Sequence, residues 1–314
     1  MLLVGCQPAS VGLPHSSGKL KVVATTGMVA DLVRSIGGEQ VEVIQIMRSG
    51  IDPHTYSASR DDMRLLLASD VVFYSGLLLE GKLTDRLRQI SQQRTVVAVA
   101  EEVDTQLLLS VDAGEQQFDP HLWMNIAAWS HGIEVVESAL SLKLPEHADQ
   151  FAANAVAHRA QLQKLDEYAR ECLASIPSSQ RVLVTSHDAF GYFGRAYGLE
   201  VQGVQGISTE SEAGLQRINQ LVDLLVDRQI QAVFVESSVS RKSIQALIDG
   251  AAARGHTVAI GGELFSDAMG EDGTYLGTYI GMLDHNVTIV TQALGGKAPG
   301  RGLNGRLKQI GPSE

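Results

Sequence analysis

The stretch from Pro145 to Ile176 contains no glycine and no internal proline. It is built from alanine, glutamine, leucine and charged residues, all strong helix formers. Pro145 suits a first helical position and Pro177 marks a stop. Thirty helical residues at 1.5 Å each span roughly 45 Å, enough to run from one lobe of a molecule to another. On both sides of it, short apolar runs alternate with amphipathic segments. The runs are 20–24, 41–46, 71–74 and 95–99 before the helix, and 181–185, 232–235 and 256–260 after it. They are almost wholly apolar rather than alternating, as suits strands covered on both faces in parallel sheets. Among the amphipathic segments, 28–36 carries Met28, Val29, Leu32, Val33 and Ile36 on one side and ends at Gly37-Gly38. Segment 210–228 carries Leu215, Ile218, Leu221, Val222 and Leu225 on one stripe, with Thr209 and Glu212 spaced as a capping box. The expected fold is therefore α/β: two lobes with parallel sheets, joined by one long rigid helix. The expected division is a tether over 1–18, a lobe over 19–144, the linking helix over 145–177, a lobe over 178–298 and a loose tail over 299–314. A last helix is expected over 275–296. A length of 314 residues agrees with two domains.

The net charge is −11. Such a chain lacks the positive field that nucleic acid requires, and it weakly attracts cations. No run approaches the 18 apolar residues of a membrane span. Two cysteines, Cys6 and Cys172, make neither a disulfide framework nor a thiolate zinc site. Leu3-Val4-Gly5-Cys6 resembles the lipobox of bacterial lipoproteins, and the residues after it are rich in Pro, Ser and Gly, as a tether would be. A lipid on Cys6 would hold the protein on the outer face of the cytoplasmic membrane, or in the periplasm, without a spanning segment.

Three of the nine histidines stand apart by placement. His15 lies in the tether. His147 and His158 fall in the long helix, where solvent is the expected neighbour, His131 and His285 lie in helical patterns, and His256 begins a strand. His54 and His121 each end an Asp-Pro-His triplet, at 52–54 and 119–121, and His187 follows the 181–185 strand directly. In open α/β sheets the carboxyl ends of strands line the ligand crevice. Proline fixes its own φ and restricts the residue before it, so the histidine after it is held in a rigid turn. The preceding aspartate could orient backbone or bond the imidazole; spacing does not decide between them. Asp267 follows the 256–260 strand and a Gly261-Gly262 turn. Three imidazoles and one carboxylate suit Zn²⁺, and also Mn²⁺ if the carboxylate binds through both oxygens.

Taken together, several stretches resemble the zinc- and manganese-specific substrate-binding proteins of ABC importers, the TroA/ZnuA-like family. They are 24–38 (ATTGMVADLVRSIGG), 49–81, DPHLWMN at 119–125, 184–199, FVESSVS at 234–240 and GGELFSDAMG at 261–270, and they reach into both lobes. The resemblance implies two lobes on a rigid backbone helix, with the metal buried in the cleft. It implies His54, His121, His187 and Asp267 as the ligands, the third position being His or Glu among members. The long His- and acid-rich loop of many zinc-specific members is absent: the segment 100–118 has no histidine. The implied role is capture of Zn²⁺ or Mn²⁺ and delivery to an ABC permease by a monomeric binding protein that is not an enzyme. Two other readings compete. A metallohydrolase would need an open water position and a general base, for which Glu236 or Asp188 could serve. An adhesin or structural lipoprotein would use the metal only to hold its fold.

Overall fold

The computed structural model describes residues 18–111 and 117–308. The first lobe is a four-stranded parallel sheet built from β1 (Leu20–Ala24), β2 (Val41–Gln45), β3 (Val71–Tyr74) and β4 (Thr95–Ala98), in the order β2-β1-β3-β4. Its helices are α1 (Gly27–Gly37), α2 (Arg60–Ala68), α3 (Lys82–Ile90), the single turn α4 (Ile126–Trp129) and α5 (Gly132–Lys143). Every residue of β3 is buried, so its four side chains find apolar partners on both faces of the sheet. The long segment begins as a 3-10 turn, Pro145–His147, and continues as α6 (Ala148–Ala174), about 40 Å at 1.5 Å per residue.

The second lobe holds two parallel pairs: β5 (Val182–Thr185) with β6 (Glu200–Gly203), and β7 (Ala232–Glu236) with β8 (Ala259–Leu264). Strands β5 and β7 lie beside each other. Its helices are α7 (Gly191–Tyr197), α8 (Leu215–Asp227), α9 (Lys242–Ala253) and α10 (Tyr279–Ala293). Along α6, Phe151, Ala155, Leu162, Leu165, Ala169 and Leu173 recur at helical spacing and are buried. They pack against α1 and α5 on one side and α7 and α10 on the other. One apolar core therefore runs from Val22 and Met28 through Leu162 to Leu183 and Leu283. Smaller clusters complete each lobe around Leu66 and Val72 and around Leu221 and Val233.

Several local expectations are corrected. Helix α8 begins at Leu215, after Gly214 in extended conformation, and not at 210. Thr209 and Glu212 thus form no capping box, and Leu215 is 82% exposed rather than part of the buried stripe. The last helix is shorter than 275–296, starting at Tyr279 with Thr278 as its cap. The final strand starts at Ala259, not His256, whose ring bonds the Ile230 carbonyl at 2.6 Å. Strand β6 has no apolar run to mark it in the sequence, because Glu-Val-Gln-Gly is short and polar. His158 is buried in α6 instead of facing water, and His147 is half-buried against Phe151. Residues 299–308 are not a loose tail: Asp284 accepts the Leu303 N–H at 2.8 Å, Arg306 stacks 4.3 Å from the Tyr275 ring centre, and Leu307 is buried. Cys6 and the tether over 7–17 lie outside the described residues, whereas Cys172 is packed within α6.

Candidate metal centre

The four sequence-predicted residues come from four separate chain segments. His54 lies in the loop after β2, where its backbone N–H donates to Asp52 Oδ1 at 2.9 Å. His121 repeats the device: its N–H donates to Asp119 Oδ1, also at 2.9 Å. In both triplets the proline-held turn points the aspartate back onto the histidine backbone. The pair then diverges. Asp119 Oδ1 also lies 2.7 Å from His121 Nδ1, so it holds the ring as well as the main chain. No hydrogen bond reaches His54 Nδ1 among the described residues, and the other Asp52 oxygen turns elsewhere.

His187 leaves the end of β5 directly. Glu236, at the end of neighbouring β7, accepts its backbone N–H at 2.9 Å and lies 2.5 Å from its Nδ1. Gly203 in β6 permits this packing, since a Cβ there would come within 2.7 Å of the His187 carbonyl carbon. Asp267 follows β8 on a loop fixed at two points. Trp123 Nε1 donates to the Ser266 carbonyl at 2.9 Å, and Asn286 of α10 brackets Phe265 with bonds of 3.0 and 2.6 Å. On the other side, Gly81 adopts φ +45° and lies so near His54 that a Cβ would sit 2.5 Å from the His54 carbonyl oxygen.

All four side chains are buried, and their candidate ligand atoms lie within 4.8 Å of one another. His54 Nε2 is 3.3 Å from His121 Nε2, which is 3.3 Å from Asp267 Oδ1. Asp267 Oδ2 is 3.1 Å from His187 Nε2 and 3.8 Å from His54 Nε2. Tetrahedral bonds of 2.0–2.1 Å place neighbouring ligand atoms about 3.3–3.4 Å apart, and the four distances above, 3.1–3.8 Å, bracket that spacing. Both Asp267 oxygens face the imidazoles, so four or five ligand atoms are within reach.

The electrostatics favour a cation. Asp267 is held well below the usual carboxylate range: burial opposes its charge, but His187 and His121 outweigh burial. Burial likewise works against a charged His121, yet Asp119 and Asp267 prevail and raise it to about 9. His187 is raised for the same reason by Glu236 and Asp267. His54, with burial as the dominant influence, is lowered to about 4. Both Asp267 carboxylate oxygens and His187 Nε2 are buried without a hydrogen-bond partner. Among the described residues, the Asp267 charge is balanced only by the His121 and His187 rings across the centre, at 3.3 and 3.1 Å. A divalent ion among these atoms would satisfy all three, and the donor set fits one. With Nδ1 held by Asp119 or Glu236, the His121 and His187 rings turn Nε2 toward the common centre, where a metal would have to displace the proton that their raised pKa values retain.

The family model for ZnuA, the periplasmic component A of a zinc-uptake complex, matches residues 22–293. The chain belongs to the ZnuA family. Across 93% of its length it is 49% identical to the manganese-binding lipoprotein MntA of Bacillus subtilis, covering 95% of that protein. It is 44% identical to the zinc-binding protein TroA of Treponema pallidum over 89% of its length and 90% of that protein. The solved structure of the periplasmic zinc-binding TroA of Treponema pallidum superposes with a TM-score of 0.86 over 88% of this chain and 99% of that one. The likeness covers both ZnuA-type lobes, the linking helix and the loops that carry the four buried residues.

Within this ZnuA-family chain, two buried carboxylates take roles that the sequence does not show. Glu236 reads from sequence as a possible general base, but both its oxygens are engaged by His187. The available signal was a glutamate ending an otherwise apolar strand. Glu80 carries no motif that marks it in the sequence. It is fully buried and accepts from Ser75 N, Gly76 N and Thr25 Oγ1 at 2.6, 3.2 and 2.8 Å, tying the ends of β1 and β3 together beside His54. Burial, partly offset by those bonds, raises its carboxyl to about 7.

Proposed function

We propose that His54, His121, His187 and Asp267 ligate one divalent transition metal as cargo. The protein is the extracytoplasmic metal-binding component of an ABC-type transport system and not an enzyme, as its family membership implies. It would capture Zn²⁺ or Mn²⁺ and deliver it to the membrane permease as a monomer whose lobes, 19–144 and 178–298, flank the 145–177 helix. The observation that carries this reading is the closed set of buried donors within 4.8 Å, three of whose atoms are otherwise unpartnered. Four protein ligands leave no open position for a reacting water, as binding without chemistry requires. For the same shell the divalent affinity order places zinc above manganese, although the relatives named above include a manganese-binding and a zinc-binding protein.

Metal titration of stripped protein, with free Zn²⁺ buffered, tests the assignment. One tight site per chain is expected, weakened at least about a hundredfold in His121→Ala because one of four ligands is lost and Asp119 loses its ring partner, keeping only the backbone N–H. Two tight sites, or unchanged affinity in His121→Ala, would overturn it.

A further inference from the structure

The two Asp-Pro-His turns share a sequence but not a set of contacts. Asp119 keeps both bonds on its own histidine. Asp52 splits its oxygens: Oδ1 holds the His54 backbone N–H, while Oδ2 accepts the Thr209 hydroxyl at 2.6 Å from the other lobe. Thr55, inside the same turn, donates to that oxygen at the longer distance of 3.1 Å. Thr209 lies on the segment between β6 and α8 that fails to become helix, and its hydroxyl takes Asp52 as partner across the cleft. The contact borders a cavity of about 130 Å³ lined by Asp52, Gln205, Thr209, Glu212, Ser238 and Lys242.

The remaining ligands differ from His54 in restraint. The His121 and His187 rings are each held by a buried carboxylate at Nδ1, and Asp267 sits on a loop tied to Trp123 and α10. His54 alone among the three imidazoles has no bond to Nδ1 among the described residues. It also lines the wide cleft bounded by Leu77, Leu78, Phe118, Pro120 and Ile207, on the approach to the centre. The least restrained ligand thus stands at the mouth, and among the described residues the one side-chain bond steadying its turn from the opposite lobe comes from Thr209.

We propose that the Thr209–Asp52 hydrogen bond is a latch across the cleft, and that the metal leaves by release of His54 when this latch opens. The proposal rests on the ligand assignment above. Asp52 and Thr209 are positioning residues: neither supplies a ligand atom, and both act through the His54 turn. While the latch is closed, a lobe movement at the cleft must break a charge-assisted bond before His54 can swing. With it open, His54 retains only its main-chain restraint, and the other three ligands stay in place.

The test is stopped-flow release of Zn²⁺, and separately of Mn²⁺, from loaded full-length protein into excess EDTA. Thr209→Val keeps the shape and removes the hydroxyl; loss of one hydrogen bond to a charged group should speed release about tenfold or more. Stoichiometry should stay at one, and the metal-free protein should remain folded, its melting temperature lowered only by the loss of the one bond, a loss that Thr209→Ser should reverse. Thr209→Ser should restore the original rate, and Thr55→Val, which removes only the contact within the turn, should change it less than about threefold. Equal release rates for Thr209→Val and the unmodified protein, or no rescue by Thr209→Ser, would overturn the latch while leaving the metal site standing. Failure of the unmodified protein to take up either metal would instead overturn the ligand assignment on which the latch rests.

Discussion

At position 187 the choice between nitrogen and oxygen bears on which metal the shell prefers. An imidazole there gives three borderline nitrogens and one carboxylate, a set matched to zinc, whereas manganese favours more oxygen and a higher coordination number. Zinc is therefore expected to displace manganese at equal free concentration. His187→Glu should narrow the gap by about tenfold or more, equivalent to at least about 1.4 kcal/mol. Because Glu236 would then face a second carboxylate, the informative protein carries Glu236→Gln as well. Buffered competition titrations read the ratio, and manganese preference in the unmodified protein, or an unchanged ratio in the double variant, would refute the argument. The four candidate ligands were legible in the sequence because each follows a strand or sits in an Asp-Pro-His turn, and such turns announce themselves through proline. Their partners were not. Nothing local distinguishes Asp52 from Asp119, since the difference lies in Thr209, 157 residues away in sequence from Asp52. Glu236 meets His187 only because β5 and β7 lie side by side.

Among the elements, α6 was legible from the absence of glycine and proline, and the strands of the first lobe from their apolar runs. The failures were at amphipathic margins. Thr209 and Glu212 have the spacing of a cap, but Gly214 takes extended backbone and starts the helix later, so tertiary pairing with Asp52 won over a local signal. His158 failed in the same way: a histidine in a charged helix reads as exposed, yet its position on the α6 stripe buries it. Burial lowers its pKa from 6.5 to about 4. The folded-state value lies below the unfolded one, so the unfolded chain takes up the proton first as pH falls. The stabilisation from a neutral His158 is complete above about pH 6.5 and is lost as pH falls toward 4. The expected loss between pH 7 and pH 5 is about 2 kcal/mol. Urea unfolding of metal-free protein at the two pH values should show a drop that shrinks by about that amount in His158→Leu. An identical drop in the variant would place the acid sensitivity elsewhere.

At the scale of the molecule, the centre joins two lobes that are already joined. His54 and His121 precede α6 in the chain, and His187 and Asp267 follow it, so one ion would bridge both halves. A protein with a flexible hinge would use that bridge to close. Here α6 packs on helices of both lobes, and a single apolar core passes through it, so a wide hinge would have to expose buried leucines such as Leu162, Leu165 and Leu173. Each fully buried leucine exposed costs about 1.5–3 kcal/mol, comparable to what binding at a hundred times Kd supplies in total, about 2.7 kcal/mol. Opening by several such residues is therefore out of reach of the cargo. The movement left to the protein is the smaller one at the cleft face, in the His54 turn and the Thr209 segment, where the contacts are polar and few. Metal should consequently raise the melting temperature, because only the folded chain assembles all four donors, while leaving overall dimensions nearly fixed. Small-angle scattering of metal-free and Zn²⁺-loaded protein should give radii of gyration near 20 Å that agree within about 0.5 Å. Calorimetry on the same samples would establish that the metal is bound. A contraction of more than about 1 Å on loading would mean that α6 bends or that its packing on one lobe gives way, and a rigid linking helix could not then be maintained.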